Sequence, residues 1–223
     1  MQLMGLLDGI KDWLKTRRFY WAYRHIFVPN FWVEILKDAL AVRRKFYAEY
    51  LHSISGQYVF EFGCSSGVNF HALQSQTQNF TGLGIDISKA AIQAARAHSP
   101  SETCHFDYML STKRLDKFLK GHQVGQFDLA IYDRVLYLMD NSEIITHFQT
   151  YGQYFKHLVV DDFHHDTGPQ LHSGRYRTRD FISLLEKAGF VLVEKRRSSY
   201  PKSDTDEFFS KGAYILIFKQ RAG

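Results

Sequence analysis

The sequence predicts an α/β fold: a doubly wound, seven-stranded, mostly parallel sheet with an antiparallel last strand, preceded by an N-terminal helical extension. Three observations lead to this prediction. From Gly56 onward, short apolar runs alternate with amphipathic helical segments, which is the pattern of βαβ units. The last two apolar runs are joined by a polar stretch containing Pro201 rather than by a helix. Residues 1–51 carry only helical patterns.

The elements follow one another in a regular order. Strands are predicted at 58–60, 82–86, 103–106, 129–133, 158–161, 191–195 and 214–219, and the helices between them at 69–78, 89–98, 112–120, 142–156 and 178–188. A helix between two strands allows them to run parallel, whereas the helix-free connection 196–212 predicts an antiparallel seventh strand. We therefore divide the chain into an extension, 1–51, and an α/β domain, 52–223.

The bulk composition excludes several classes of protein. The chain has 223 residues, a net charge of +5, and two cysteines, Cys64 and Cys104, which are too few for a disulfide framework or a thiolate metal site. It has no signal-peptide pattern and no apolar run long enough to span a bilayer, so we expect a cytoplasmic protein. The basic excess is modest and no Lys/Arg tail accompanies it, so the charge does not favour nucleic-acid binding, and no DNA partner is expected.

A small-residue loop follows the first predicted strand. Gly63-Cys64-Ser65-Ser66-Gly67 lies between that strand and a helix, where small residues let the backbone approach a ligand closely. The second strand ends at Asp86, about 20 residues later, the distance at which a carboxylate accepts hydrogen bonds from a ribose. Loop, helix and acid together predict a nucleoside-binding site.

Three other interpretations of this loop stay open. A dinucleotide-binding oxidoreductase would have glycine at Ser65 and at Val68, and Glu61 would repel its diphosphate while suiting a cationic ligand such as S-adenosylmethionine. Gly63, Ser65 and Gly67 also match a hydrolase nucleophile elbow, although only one predicted strand precedes them. The remaining interpretation is a tight turn that binds nothing.

From about residue 52 to its end, the chain resembles the class I S-adenosylmethionine-dependent methyltransferases, whose glycine-rich motif has an acid two residues before the first glycine, as Glu61 precedes Gly63. The resemblance implies a Rossmann-like methyltransferase domain. It departs from the family at Ser65, where many members have glycine. The implied cofactor-binding residues are Glu61, Gly63, Cys64, Ser65 and Gly67 for the methionine part, Asp86 for the ribose, Ile87 and Asp107 for the adenine, and Asp133 beside the transferred methyl group.

Polar clusters follow the fourth and fifth predicted strands. Asp133 with Asp161 and Asp162 resembles the acidic set that holds a divalent cation in metal-dependent O-methyltransferases, which implies Mg²⁺ as a second cofactor. Without a metal, Asp133, Asp162, His164 or His165 would supply the catalytic base. A solvated loop is the simplest alternative.

The extension is rich in aromatic residues interleaved with arginines. It is predicted to close over the site as a lid that selects the substrate, to contact a membrane surface through its N-terminal helix, or simply to pack on the domain. We expect a methyltransferase that acts on a small-molecule acceptor, most readily at a hydroxyl oxygen. The alternatives are a catalytically inactive nucleoside-binding protein of the same fold and a methyltransferase acting on RNA or protein.

Overall fold

A computed structural model describes residues 17–28, 30–38, 42–77, 79–122, 124–167, 171–172, 176–198 and 213–221. The helix predicted near residues 3–14 lies outside these ranges. Within the described residues, no helix combines the length and the apolar character needed to cross a membrane.

The main sheet has seven strands in the order β3-β2-β1-β4-β5-β9-β8. Its strands are β1 (Tyr58–Phe62), β2 (Thr81–Asp86), β3 (Cys104–Tyr108), β4 (Phe127–Asp133), β5 (Phe155–Phe163), β8 (Phe190–Arg197) and β9 (Ala213–Gln220). Only β9 runs against the others, since it pairs antiparallel with both β5 and β8. The prediction of a doubly wound sheet with an antiparallel last strand is therefore confirmed. A short hairpin, β6 (Leu171–His172) and β7 (Tyr176–Arg177), lies outside this sheet.

Helices cover both faces of the sheet. They are α1 (Arg18–Ala22), α2 (Arg24–Phe27), α3 (Phe31–Glu34), α4 (Val42–Ser53), α5 (Val68–Gln74), α6 (Lys89–Ala97), α7 (Leu115–Gly121), α8 (Asn141–Tyr151) and α9 (Phe181–Lys187). Side chains of α4, α5 and α6 pack in one buried cluster with one face of the strands. Those of α7, α8 and α9 pack in a second cluster with the opposite face. Successive strand residues point to opposite faces, so the near-continuous apolar strands serve both clusters.

The second helix predicted for the extension is interrupted in the structure. Instead of one helix over about 31–51, the chain forms α3, a 3₁₀ turn at Ile35–Asp38 and then α4, which runs to Ser53. Tyr47 and Leu51 of α4 are fully buried against the sheet. The proposed boundary at residue 51 thus falls inside a helix of the core.

The strand order reverses between β1 and β4. Strand β1 pairs with β2 on one side and with β4 on the other, and all three run parallel. Helices leave the two strands toward opposite faces here, which opens a crevice at the carboxyl edge of the sheet. A ligand site is therefore expected beyond Phe62 and Asp133, the last residues of the two strands.

Candidate functional site

A cavity of about 720 Å³ occupies this crevice. The loop after β1 lines it, together with three acidic residues at the ends of parallel strands, Glu61, Asp86 and Asp133. The strand register explains why these three residues lie close together. Glu61 pairs with Gly84 of β2 and with Ile131 of β4, and each of these partners precedes an acid, Asp86 or Asp133, by two residues. All three carboxylates consequently point to the same side of the sheet edge.

The loop has the backbone geometry that small residues allow. Gly63 and Gly67 have φ of 79° and 80°, and a Cβ atom on Gly67 would lie 2.8 Å from the ring of Phe106. The amides of Gly63 and Cys64 both donate to the carbonyl oxygen of Ile85, at 2.8 and 3.0 Å, which ties the loop to β2. Ser65 adopts the left-handed region as well, with φ of 55°. The predicted turn is present, and a serine occupies a conformation that favours glycine.

Ser65→Gly should raise the free energy of unfolding by about 0.5–1 kcal/mol, because the left-handed conformation costs more for serine than the added freedom of glycine in the unfolded chain. The Ser65 hydroxyl is buried and has no hydrogen-bond partner in the described structure, so little is lost with it. Urea unfolding measures the difference. Ser66→Gly is the matched control: Ser66 has a negative φ, and its replacement should lower stability. A Ser65→Gly protein less stable than the unmodified protein would contradict the proposal that the backbone is strained at this position.

Asp86 holds the loop and faces the cavity. Its Oδ2 accepts a hydrogen bond from the amide of Ser65 at 2.9 Å, and its Oδ1 accepts from the amide of Ser88 at 2.7 Å. Burial raises the pKa of Asp86 to about 6, although both amides favour the charged form. The next residue, Ile87, lines the cavity beside it. The residues predicted to bind the ribose and the adenine therefore lie next to each other in the cavity lining.

Glu61 is a buried acid with one unsatisfied oxygen. Asn69 Nδ2 donates to its Oε1 at 2.6 Å, whereas Oε2 has no hydrogen-bond partner among the described residues. Burial, and then the negative charge of Asp133, raise the pKa of Glu61 to about 8. An unpaired buried carboxylate is costly, so this position favours either a proton or a cationic ligand.

Arg44 reaches this site from α4. Its Nη1 donates to Asp133 Oδ2 at 3.0 Å and also bonds Asn69 Oδ1, while Asn69 Nδ2 lies 3.2 Å from the same Asp133 oxygen. Arg44 is almost completely buried, and it lines the cavity. The sequence analysis missed both Arg44 and Asn69. The available signal was a polar residue on an apolar helix face, since Arg44 precedes the buried Tyr47 and Leu51 at helical spacing.

Aromatic side chains of the extension form a wall of the cavity. Trp21, Phe31 and Trp32 line it, and the rings of Phe31 and Trp32 meet edge to face at 4.8 Å. Tyr137 and Phe163, which follow β4 and end β5, line it too, with ring centroids 5.6 Å apart. We call these five residues the aromatic wall. The α1–α3 segment therefore contributes directly to the site.

His147 also lines the cavity, and the sequence analysis missed it. Its Nε2 lies 2.8 Å from the hydroxyl of Tyr132, and burial lowers its pKa to about 3. The imidazole is therefore neutral at physiological pH. Nothing in the sequence marked it, because a single histidine on the buried face of a helix is common in protein cores.

Comparison with known proteins identifies the family. A family model described as a methyltransferase domain matches residues 54–190. The chain belongs to this family. With the seven-stranded sheet and the cavity at its switch point, it is a class I S-adenosylmethionine-dependent methyltransferase.

Individual relatives of this methyltransferase are distant. The ubiquinone biosynthesis O-methyltransferase of Pasteurella multocida (strain Pm70) is 30% identical over 80 residues, 36% of this chain. The match spans 31% of that relative's length. The 1,6-didemethyltoxoflavin-N1-methyltransferase of Burkholderia thailandensis superposes with a TM-score of 0.63 at 16% identity, covering 92% of this chain and 89% of that one. The magnesium protoporphyrin IX methyltransferase of Synechocystis PCC 6803 gives 0.58 at 16%, covering 92% and 95%. These two structures support the fold alone.

The cavity of the methyltransferase fits S-adenosylmethionine. The unsatisfied Oε2 of Glu61 suits an ammonium group, and Asp86, which lines the same cavity, can accept hydrogen bonds from hydroxyls. Gly63 lines the cavity, whereas Gly67 lets the loop pack on Phe106, with which a side chain would clash. Cys64 and Ser65 line the cavity at the loop, and the buried Cys64 packs against Gly84.

Asp107 does not line the cavity of this methyltransferase. Its carboxylate is partly exposed and accepts hydrogen bonds from Arg96 Nη2 at 3.1 Å and from the amide of Tyr108 at 3.0 Å. Met109 and Leu110 line the cavity instead. The contact between Asp107 and the adenine amino group stays a prediction.

The structure does not assemble the predicted Mg²⁺ site from Asp133, Asp161 and Asp162. Asp161 accepts from Arg134 Nη2 and Ser198 Oγ, both at 2.9 Å. Asp162 follows it within β5 and so points to the opposite face, where it accepts from the amides of Tyr137 and Phe163 at 3.1 and 2.8 Å. Across the part of the chain that the structure describes, no three His, Cys, Asp or Glu side chains form a group that suits a metal ion.

The predicted bases of the fifth strand lie away from the cavity. His164 is buried with its Nε2 2.8 Å from Asp166 Oδ1, and His165 Nδ1 lies 2.8 Å from the hydroxyl of Thr167. Neither histidine lines the cavity, nor does Asp162, whose burial raises its pKa to about 6. Of the four residues predicted to be catalytic, the structure brings only Asp133 to the cavity.

Proposed function

We propose that this methyltransferase transfers a methyl group to a hydroxyl oxygen of a small aromatic acceptor. The aromatic wall carries the proposal. Flat side chains that line a cavity accommodate a planar ring, because offset or edge-to-face ring pairs are favourable and expel water. The α1–α3 segment would thereby select the acceptor, as predicted for the extension.

The proposal of oxygen as the acceptor atom is supported by the name of one relative. The Pasteurella multocida protein is named an O-methyltransferase, although the match covers only a part of each chain. The Burkholderia thailandensis neighbour is named an N1-methyltransferase, so an aromatic nitrogen is the second candidate acceptor.

We assign the cofactor contacts from the cavity lining. Glu61 would bind the ammonium group, Asp86 the ribose hydroxyls, and Ile87 with Met109 and Leu110 the adenine. The backbone of Gly63, Cys64, Ser65 and Gly67 would pass beside the methionine part. When bound, S-adenosylmethionine supplies an electrophilic methyl group on a sulfonium centre and becomes the neutral thioether after transfer.

Asp133 is the proposed catalytic base. Arg44 and Asn69 donate to its Oδ2 at 3.0 and 3.2 Å, which fixes the orientation of the carboxylate. It would take the proton of the acceptor hydroxyl as the new oxygen–methyl bond forms. Arg134, whose guanidinium lies over the ring of Phe163 at 4.6 Å, lines the same cavity and is held there by its ion pair with Asp161.

A panel of acceptors tests the proposal. The protein with methyl-labelled S-adenosylmethionine should convert phenols and catechols to methyl ethers, identified by mass spectrometry, and should leave aliphatic alcohols and amines unchanged. Asp133→Asn should lower kcat by about 10²–10³ because the general base is lost, while binding of S-adenosylhomocysteine changes less than about threefold.

Three outcomes would oppose this function. Methylation of aromatic amines alone would favour nitrogen as the acceptor atom. Unchanged kcat in Asp133→Asn would remove the base assignment. Tight cofactor binding without transfer to any small molecule would favour an inactive binding protein or a macromolecular acceptor.

A further inference from the structure

His147 of α8 has a buried hydrogen-bonding atom with no assigned role. The side chain is only 4% exposed and lines the cavity. Its Nε2 lies 2.8 Å from the hydroxyl of Tyr132, whereas its Nδ1 is buried and has no hydrogen-bond partner among the described residues. Buried polar atoms of folded proteins are nearly always paired. We therefore expect Nδ1 to pair with an atom of a ligand in the cavity.

The contact with Tyr132 decides which nitrogen of the imidazole carries the proton. Tyr132 is fully buried, and its hydroxyl contacts only His147 Nε2 among the described residues. If Nε2 carried the proton, the Tyr132 O–H and Nδ1 would both lack a partner, whereas a hydroxyl that donates to Nε2 leaves only Nδ1 without one. Each unpaired buried group costs free energy, so the second arrangement is favoured. Because burial lowers the pKa of His147 to about 3, the ring is neutral and Nδ1–H is a hydrogen-bond donor.

His147 borders the part of the cavity proposed for the adenine. Its ring centroid lies 5.2 Å from that of Tyr151, whose hydroxyl donates to the carbonyl oxygen of Thr112 at 2.7 Å. Tyr151 and Thr112 both line the cavity. Thr112 closely follows Met109 and Leu110, the residues assigned to the adenine. The donor of His147 is thus near the proposed position of the base.

We propose that His147 binds the adenine of S-adenosylmethionine by donating its Nδ1–H to a ring nitrogen of the base. Adenine has acceptor nitrogens at N1, N3 and N7, whereas the ammonium group of the methionine part only donates hydrogen bonds. The methionine carboxylate is attached to the same carbon as that ammonium group, which is proposed to bind Glu61. Tyr132 would be a positioning residue, because its hydroxyl keeps the proton on Nδ1. The proposal rests on the adenine placement in the proposed function and is independent of the acceptor.

Calorimetry with analogues of S-adenosylhomocysteine tests this contact. The 1-deaza, 3-deaza and 7-deaza analogues each have C–H in place of one ring nitrogen. One of them should bind the unmodified protein about 5- to 100-fold more weakly than S-adenosylhomocysteine, since it leaves a buried donor unpaired. In the double variant His147→Leu/Tyr132→Phe, which removes both partners of the hydrogen bond, this loss should fall below about twofold. The matched control Tyr151→Phe keeps a ring beside His147 and should retain the loss.

Urea unfolding checks that each variant is folded. If the double variant is not, ¹⁵N NMR of the histidine side chains decides in the unmodified protein: the Nδ1–H resonance of His147 should shift when S-adenosylhomocysteine binds and shift less with the weaker analogue. Equal affinities for all four ligands would overturn the proposal, as would a loss that is the same in the double variant and the unmodified protein. If the unmodified protein does not bind S-adenosylhomocysteine, the proposed cofactor site is wrong as well.

Discussion

Asp86→Ala should weaken the binding of S-adenosylhomocysteine by at least about a hundredfold. The substitution removes the proposed ribose acceptor, and it also removes the acceptor of the Ser65 and Ser88 amides, which hold the loop. A hydrogen bond to a charged group contributes about 1.5–3 kcal/mol, and about 2.7 kcal/mol corresponds to a hundredfold change in affinity. Isothermal titration calorimetry measures the effect, and circular dichroism should show an unchanged fold.

Asp107→Ala is the matched control for this measurement. Asp107 is the second-last residue of the neighbouring strand β3, and its carboxylate pairs with Arg96 outside the cavity, so its loss should change the affinity less than about threefold. If Asp107→Ala weakened binding as much as Asp86→Ala, the adenine contact predicted from the sequence would be supported. An affinity of Asp86→Ala equal to that of the unmodified protein would reject the ribose assignment.

Binding of S-adenosylhomocysteine at pH 7 should release close to one proton. The pKa of Glu61 is raised to about 8 in the structure, so at pH 7 the side chain is mostly protonated before binding. The ligand's ammonium group beside Oε2 favours the carboxylate and displaces that proton. Affinity should therefore rise from pH 6 to 7.5, by up to about tenfold per pH unit. Calorimetry in two buffers of different ionisation enthalpy counts the protons.

Glu61→Gln keeps an acceptor for Asn69 but cannot ionise. It should abolish the proton release, and it should lower the affinity at pH 7.5 by about ten- to a hundredfold, since a charged hydrogen bond is lost. Asp162→Asn is the control, because Asp162 is also buried with a raised pKa but lies outside the cavity. Proton release that persists in Glu61→Gln would show that another group titrates on binding.

The sheet could be predicted from the sequence because each strand is marked by residues close to one another in the chain. Each main strand is a short apolar run followed by a helix or by the helix-free connection. Six of the seven predicted strands lie within observed ones, and the third was predicted to begin one residue early, at Thr103. The interruption of the extension at Ile35–Asp38 was not predictable in the same way. No glycine or proline marks it, and the apolar spacing continues through it.

The residues predicted to bind the cofactor are also close to one another in the sequence. Glu61, Gly63, Gly67 and Asp86 sit at fixed distances around one loop, and the structure places all four together. The three predicted metal ligands do not come together in the described structure, and the sequence analysis had placed the end of the fifth strand at Asp161. The observed β5 continues to Phe163, so strand alternation separates the acidic pair. Arg44 lies 89 residues from Asp133 in the chain, and no local pattern connects the two.

The ion pair between Arg44 and Asp133 joins α4, which follows the α1–α3 segment, to the end of β4 in the cavity. The arginine of α4 balances negative charge that the sheet buries, so a chimera that received a foreign N-terminal segment would need a cation at the same place. Without one, Glu61 and Asp133 would share a buried site with no counter-charge from α4. A cation at position 44 is thus a requirement for any exchange of the N-terminal segment of this chain.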